Sequence, residues 1–121
     1  MVSGPTSSDS ESVKAERLRS LNRAAAEVWK RGHIPLVAVN AAGPVVEQAE
    51  VEDRYEAVMR ICEALAERCD AVLLIGESGG ACREAEVFER RGRPVYRELD
   101  EIPAEAGAGG APSPPPPSGR P

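Results

Sequence analysis

The spacing of apolar residues changes several times along the chain, and each change marks an expected element. From Ser10 to Gly32 the residues Val13, Leu18, Leu21, Ala25 and Val28 fall near one face of a helix of about 3.6 residues per turn. That spacing predicts an amphipathic helix, capped by Ser10 or Ser12 and stopped at Gly32. "IPLVAV", Ile34 to Val39, shows no polar alternation and predicts a strand covered on both faces. "NAAGPVV" follows, and its Gly43-Pro44 pair predicts a turn-rich connection. "DRYEAVMRICEALAERC" returns to helical spacing, with Tyr55, Val58 or Met59, Cys62, Leu65 and Cys69 on the inner side. "AVLLI", Ala71 to Ile75, predicts a second buried strand, and "ACREAEVFERR" a third helix ended by Gly92. "RPVYR" predicts a last strand, and "MVSG" at the start predicts the end of a strand cut at its front.

Strand and helix therefore alternate through residues 1–103. This order predicts an α/β fold of the Rossmann-like kind, a small doubly wound parallel sheet with helices on both faces. In such sheets ligands sit at the carboxyl ends of the strands. Three small or polar segments are expected to meet there: Ser3-Gly4-Pro5, Asn40 to Pro44, and Gly76 to Ala81. Residues 104–121 are Ala, Gly, Pro and Ser with almost nothing to bury, and predict a disordered tail. The run Pro114 to Pro117 gives that tail some polyproline character.

Composition narrows the function classes. The 121 residues suit one domain, and the 41% apolar fraction is enough for one core. Aromatics make up only 3%, so that core is expected to be aliphatic. The net charge of −5 and the absence of a basic patch argue against binding to duplex nucleic acid. No apolar run reaches the ~18 residues of a membrane span. The start has neither the basic nor the apolar region of a secretory signal, so a cytoplasmic location is expected. Cys62, Cys69 and Cys82 are then expected to be reduced. Their spacing fits no zinc pattern, and His33 is the one histidine, so neither a metal nor another cofactor is expected. His33 itself reads as a loop residue and Asp70 as a turn residue.

The richest chemistry lies in "GESGGACREAE". Gly76, Gly79 and Gly80 let a ligand approach the backbone, and the start of the following helix favours an anion. Glu84 follows Gly80 by four residues and is placed by this spacing in the first turn. There it is either an ordinary helix residue that complements the dipole or a site residue. As a site residue, a carboxylate can bond a sugar hydroxyl or attack an anomeric carbon. The loop is neither a Walker motif nor a dinucleotide fingerprint. Asn40 either bonds a ligand or closes an Asx-turn. Trp29 and Tyr55 either stack on a base or belong to core or dimer contacts. Cys82 opens the helix, where a dipole can activate a thiol.

Five motifs, in this order, carry a resemblance: Ser3-Gly4-Pro5, Gly32-His33-Ile34-Pro35, Cys69-Asp70-Ala71-Val72-Leu73, Ser78 to Glu84, and Gly92 to Pro103. In these the chain resembles the nucleoside 2-deoxyribosyltransferase superfamily, and more closely an uncharacterised bacterial branch of it. The resemblance spans almost everything before the tail. It implies a nucleoside or nucleotide ligand, N-glycosidic transfer or hydrolysis, and a homo-oligomer. It makes Glu84 the nucleophile, because the spacings from Gly80 to Glu84 and from Glu84 to Gly92 are kept. It matches Ser78 to a loop residue that helps hold the ligand, and Gly4 and Pro5 to a strand-end motif that lines the pocket. With the strand-end loops read above, the expected ligand-binding set is Ser3, Gly4, Pro5, Asn40, Gly76, Ser78, Gly79, Gly80 and Ala81. One position departs. Where those enzymes often carry a helper aspartate, eight residues before Asp70, this chain has Cys62. Glu56 and Asp53 are the nearest carboxylates upstream of it in that region. The alternative to an enzyme is a binding or sensing module that keeps the loop without the catalysis.

Overall fold

In a computed structural model, residues 1–104 are described. The expected tail lies outside them from residue 105 onward. The order is β1 (Val2–Ser3), α1 (Glu11–Lys30), α2 (Ala38–Ala49), α3 (Arg54–Ala66), β2 (Val72–Leu74), α4 (Gly79–Arg90) and β3 (Val95–Tyr96), then a 3-10 turn at Leu99–Glu101. The chain is thus α/β, with a small parallel sheet of three strands in the order β1-β2-β3. Val2 is in register with Leu73, and Leu73 in turn with Tyr96.

The pleat sends alternate strand residues into two apolar clusters. Met1 and Val72 join Ala38, Ala42, Cys62, Ala66, Val87 and Phe88, drawn from α2, α3 and α4. Val2 and Leu73 join Leu21, Ala25 and Val28 of α1, together with Val37 and Ile102. Phe88 is fully enclosed and supplies much of the first cluster's bulk, where the sequence otherwise offers small side chains. The face of α1 is narrower than expected. Leu18 is half-buried and Val13 is exposed, because Val13 lies in the first turn, beyond the reach of the short sheet.

Two expectations fail between residues 34 and 46. Ile34–Val37 lies beside β1, with the Val2 N–H donating to the Leu36 carbonyl at 2.8 Å, yet it forms no strand. Pro35 has no N–H to give to a ladder, and the chain enters α2 at Ala38, too soon for one to develop. The expected turn around Gly43-Pro44 is instead the middle of α2. Ala38, Ala42 and Val46 are buried at four-residue spacing, while Pro44 faces solvent. Burial of that stripe outweighs the lost intrahelical bond. In α3 the buried residues are Met59, Cys62 and Ala66; Leu65 and Cys69 are only half-buried and Tyr55 is exposed.

Polar contacts tie the segment around Ile102 and the end of α3 to the rest of the fold. The His33 ring bonds the Pro103 carbonyl at 2.6 Å, and Arg31 donates to the Ile102 carbonyl at 3.2 Å. Arg93 donates to the Glu67 and Cys69 carbonyls, satisfying the C-terminal end of α3. No helix among the described residues is long and apolar enough to cross a membrane.

Candidate functional site

A cleft of ≈ 220 Å³ lies at the carboxyl ends of β1 and β2, against the start of α4. Ser3, Gly4, Ser78, Gly79, Gly80, Ala81 and Glu84 line it, so seven of the expected residues come together. Thr6, Ser7, Tyr55, Val58 and Met59 also line it, as do Leu21 and the Val37–Val39 segment. Sequence reasoning placed none of those at a site, apart from Tyr55 as one of its two options. Their only signal was position just after a strand or on the inner side of a helix.

Glu84 is not in the first turn of α4, which holds no acidic residue. Ser78 is the N-cap, so Glu84 falls in the second turn, on the same buried side as Ala81, Ala85 and Phe88. It is 6% exposed, at a position where the helix pattern calls for an apolar side chain. The Ser3 hydroxyl on β1 donates to its Oε1. Ser3 is itself 2% exposed, and the strand pleat turns it toward α4. Burial pushes the Glu84 carboxyl above its ordinary value; hydrogen bonding from Ser3 and Cys62 opposes that shift. The Glu63 charge adds to the rise, and the Met1 amino group counters it. The Cys62 thiol is pushed up to about 12 by burial and by the neighbouring Glu84 charge. Cys62 is therefore a protonated donor rather than a nucleophile.

The glycines have separate reasons. A side chain at Gly4 would put its Cβ 2.5 Å from the Ile75 carbonyl oxygen, so glycine is needed for β1 to end against β2. Gly76 has φ +86°, and its Cβ would sit 3.2 Å from Pro5. Pro5 and Gly76 thus pack against each other and do not line the cleft. Gly79 and Gly80 do line it, and a Cβ at Gly80 would meet Met59 Sδ at 3.1 Å. Asn40 also lies off the cleft. It is exposed in the first turn of α2, where its amide donates to Asn22 at 2.8 Å, so it closes no Asx-turn after a strand. Ser78 accepts from the Ala81 N–H at 3.1 Å as a cap.

The two upstream carboxylates are committed elsewhere. Asp53 caps α3 through the Glu56 N–H. Glu56 takes a bidentate pair from Arg83 at 2.9 and 3.0 Å, and Arg83 also reaches Glu63 at 2.9 Å. Neither lines the cleft. Among the described residues no group of three or more His, Cys, Asp or Glu could hold a metal ion. Trp29 and Cys82 are exposed and stand outside the cleft.

No family model, curated protein or solved structure matches the chain.

Proposed function

We propose that this cleft binds the sugar of a nucleoside or nucleotide and that Glu84 acts on its N-glycosidic bond. The observation that carries the reading is a single buried carboxylate on the apolar side of α4, bordering the cleft beside Gly79 and Gly80. The volume, below the ~300–1,000 Å³ of usual ligand pockets, suits a sugar held inside with its base or phosphate toward the mouth. The motif order described above supports the same reading, as does the place of the cleft at the carboxyl end of a parallel sheet. In the reaction, a Glu84 oxygen bonds the anomeric carbon as the bond to the base nitrogen breaks. The base leaves with the electron pair and takes a proton. Water or a second base then attacks the anomeric carbon and releases the carboxylate.

A second reading has its own observation. Asp53 and Glu56 are committed to a cap and to Arg83, and Cys62 replaces the helper acid. A cleft whose lining holds no carboxyl besides Glu84 to protonate the departing base fits a binding module. One experiment separates the two. The full chain is incubated with 2′-deoxynucleosides and their monophosphates, and free base is measured beside a thermal-shift screen. The catalytic reading expects base release, and Glu84→Gln lowers it on the order of 10³-fold or more with the fold retained. Stabilisation by a ligand without base release selects the binding module. Neither release nor stabilisation by any of these compounds rejects both.

A further inference from the structure

The bond between Ser3 and Glu84 joins the first strand to the fourth helix across 81 residues of sequence, and both partners are buried. Sequence reasoning gave Ser3 to the ligand. We propose that Ser3 is instead a positioning residue, whose hydroxyl fixes one oxygen of Glu84 at the cleft wall and favours its charged form. This rests on Glu84 being the functional carboxylate of the site.

Three features support the assignment. A carboxylate only 6% exposed needs donors to remain charged, since desolvation alone favours the neutral acid. The donor comes from a strand rather than from a flexible loop, so its position is set by the sheet: the Ser3 carbonyl accepts from the Ile75 N–H at 2.8 Å. Gly4 follows at once, packed so closely that a Cβ there would sit 2.5 Å from the Ile75 carbonyl oxygen. The other groups facing Glu84 are less suited to hold it. Cys62 of α3 offers a thiol, a weak donor. Glu63 of α3 repels it, and the Met1 amino group acts through charge while it donates to the Ala71 carbonyl. Arg83, next to Glu84 in α4, is engaged by Glu56 and Glu63.

The test follows the Glu84 carboxyl directly by carbon-13 NMR of the glutamate-labelled full chain, with Glu84→Gln identifying its signal. Ser3→Ala is expected to raise the titration midpoint of Glu84, because the removed bond favours the charged form. Ser3→Thr keeps a hydroxyl and is expected to hold the midpoint at its native value. An unchanged midpoint in a folded Ser3→Ala protein overturns the proposal, as does an equal rise in both variants. If Ser3→Ala does not fold, Ser3→Cys supplies a near-isosteric weak donor; a raised midpoint supports the assignment and an unchanged one overturns it. Base release is not the readout. Its absence with the midpoint shift intact counts against the proposed chemistry and leaves the positioning bond standing.

Discussion

Helices α2 and α4 both feed the cluster around Phe88, yet they depart from helical rules on opposite sides. In α2 the departure faces outward: Gly43 and Pro44 interrupt a helix whose inner stripe, Ala38, Ala42 and Val46, is regular. In α4 the departure faces inward: Glu84 shares the buried side with Ala81, Ala85 and Phe88. An outward departure weakens the helix and leaves the core intact. An inward one places a charge where desolvation works against it, and it borders the cleft. The first is a matter of stability alone; the second is the kind of locally unfavourable choice that accompanies a site.

Replacing Glu84 with Gln tests the inward half of the contrast and has the largest consequences. Beyond the loss of base release that the catalytic reading expects, it changes how stability depends on pH. Burial raises the Glu84 carboxyl in the folded state. Above the unfolded value of about 4.3, the folded protein therefore holds the proton more tightly than the unfolded chain. Stability contributed by this group is full below that value and is lost as pH rises through the raised folded value. Glu84→Gln has no such loss, so its advantage in urea unfolding over the native chain is expected to grow as pH rises through that window. A parallel pair of curves would mean that Glu84 is as well solvated folded as unfolded, and the contrast between the helices would collapse.

This contrast also separates what was legible in the sequence from what was not. The helices α1, α3 and α4 and the strand β2 follow from spacing, because each carries a regular apolar pattern bounded by a cap or a glycine, while the two-residue strands β1 and β3 follow from their place in the alternation of elements. Helix α2 does not, since Gly43-Pro44 is a strong turn signal and the inner stripe beneath it is only three small or medium residues. The extended segment at Ile34–Val37 reads as a strand because its apolar run is real; a ladder also needs N–H groups and length, which Pro35 and the start of α2 remove. At the site, loop spacing singled out Glu84 and the glycines but left Glu84 open between a helix residue and a site residue, and placed it one turn too early. The partner of Glu84 was not legible, because Ser3 lies 81 residues away and only the pleat brings it to α4. Gly4, Pro5 and Gly76 were legible as special: Gly4 both lines the cleft and is held to glycine by the Ile75 carbonyl, whereas Pro5 and Gly76 pack against each other and do not line it.

Pro44 tests the outward half more strongly than its neighbour does. As the seventh residue of α2 it lacks the N–H that would bond the Asn40 carbonyl, and it faces solvent. Interior proline costs about 3 kcal/mol relative to alanine in a helix, part of which it returns by stiffening the unfolded chain. Pro44→Ala is therefore expected to stabilise the protein by about 1–2 kcal/mol, read as a higher urea midpoint with an unchanged slope. Loss of stability would show that the chain depends on the proline where the outward departure was taken as pure weakness.

Gly43→Ala carries the smallest effect and decides most directly between the turn expected from the sequence and the helix found. A Cβ built at Gly43 meets nothing within 4 Å, and its φ is not in the left-handed region. The substitution therefore adds no clash and removes none of the buried stripe. If residue 43 is helical, alanine is favoured by roughly 0.5–1 kcal/mol, because glycine loses more backbone freedom on folding. Urea unfolding should then show a small rise in midpoint, and the gain should persist on top of Pro44→Ala, where the helix is better formed. If Gly43 instead serves a turn that uses a positive φ, alanine is strained there and the midpoint falls. A fall would return residues 40–46 to the connection that the Gly-Pro pair implies. It would also remove α2 from the wall of the core, leaving Ala42 and Val46 without a reason to be buried.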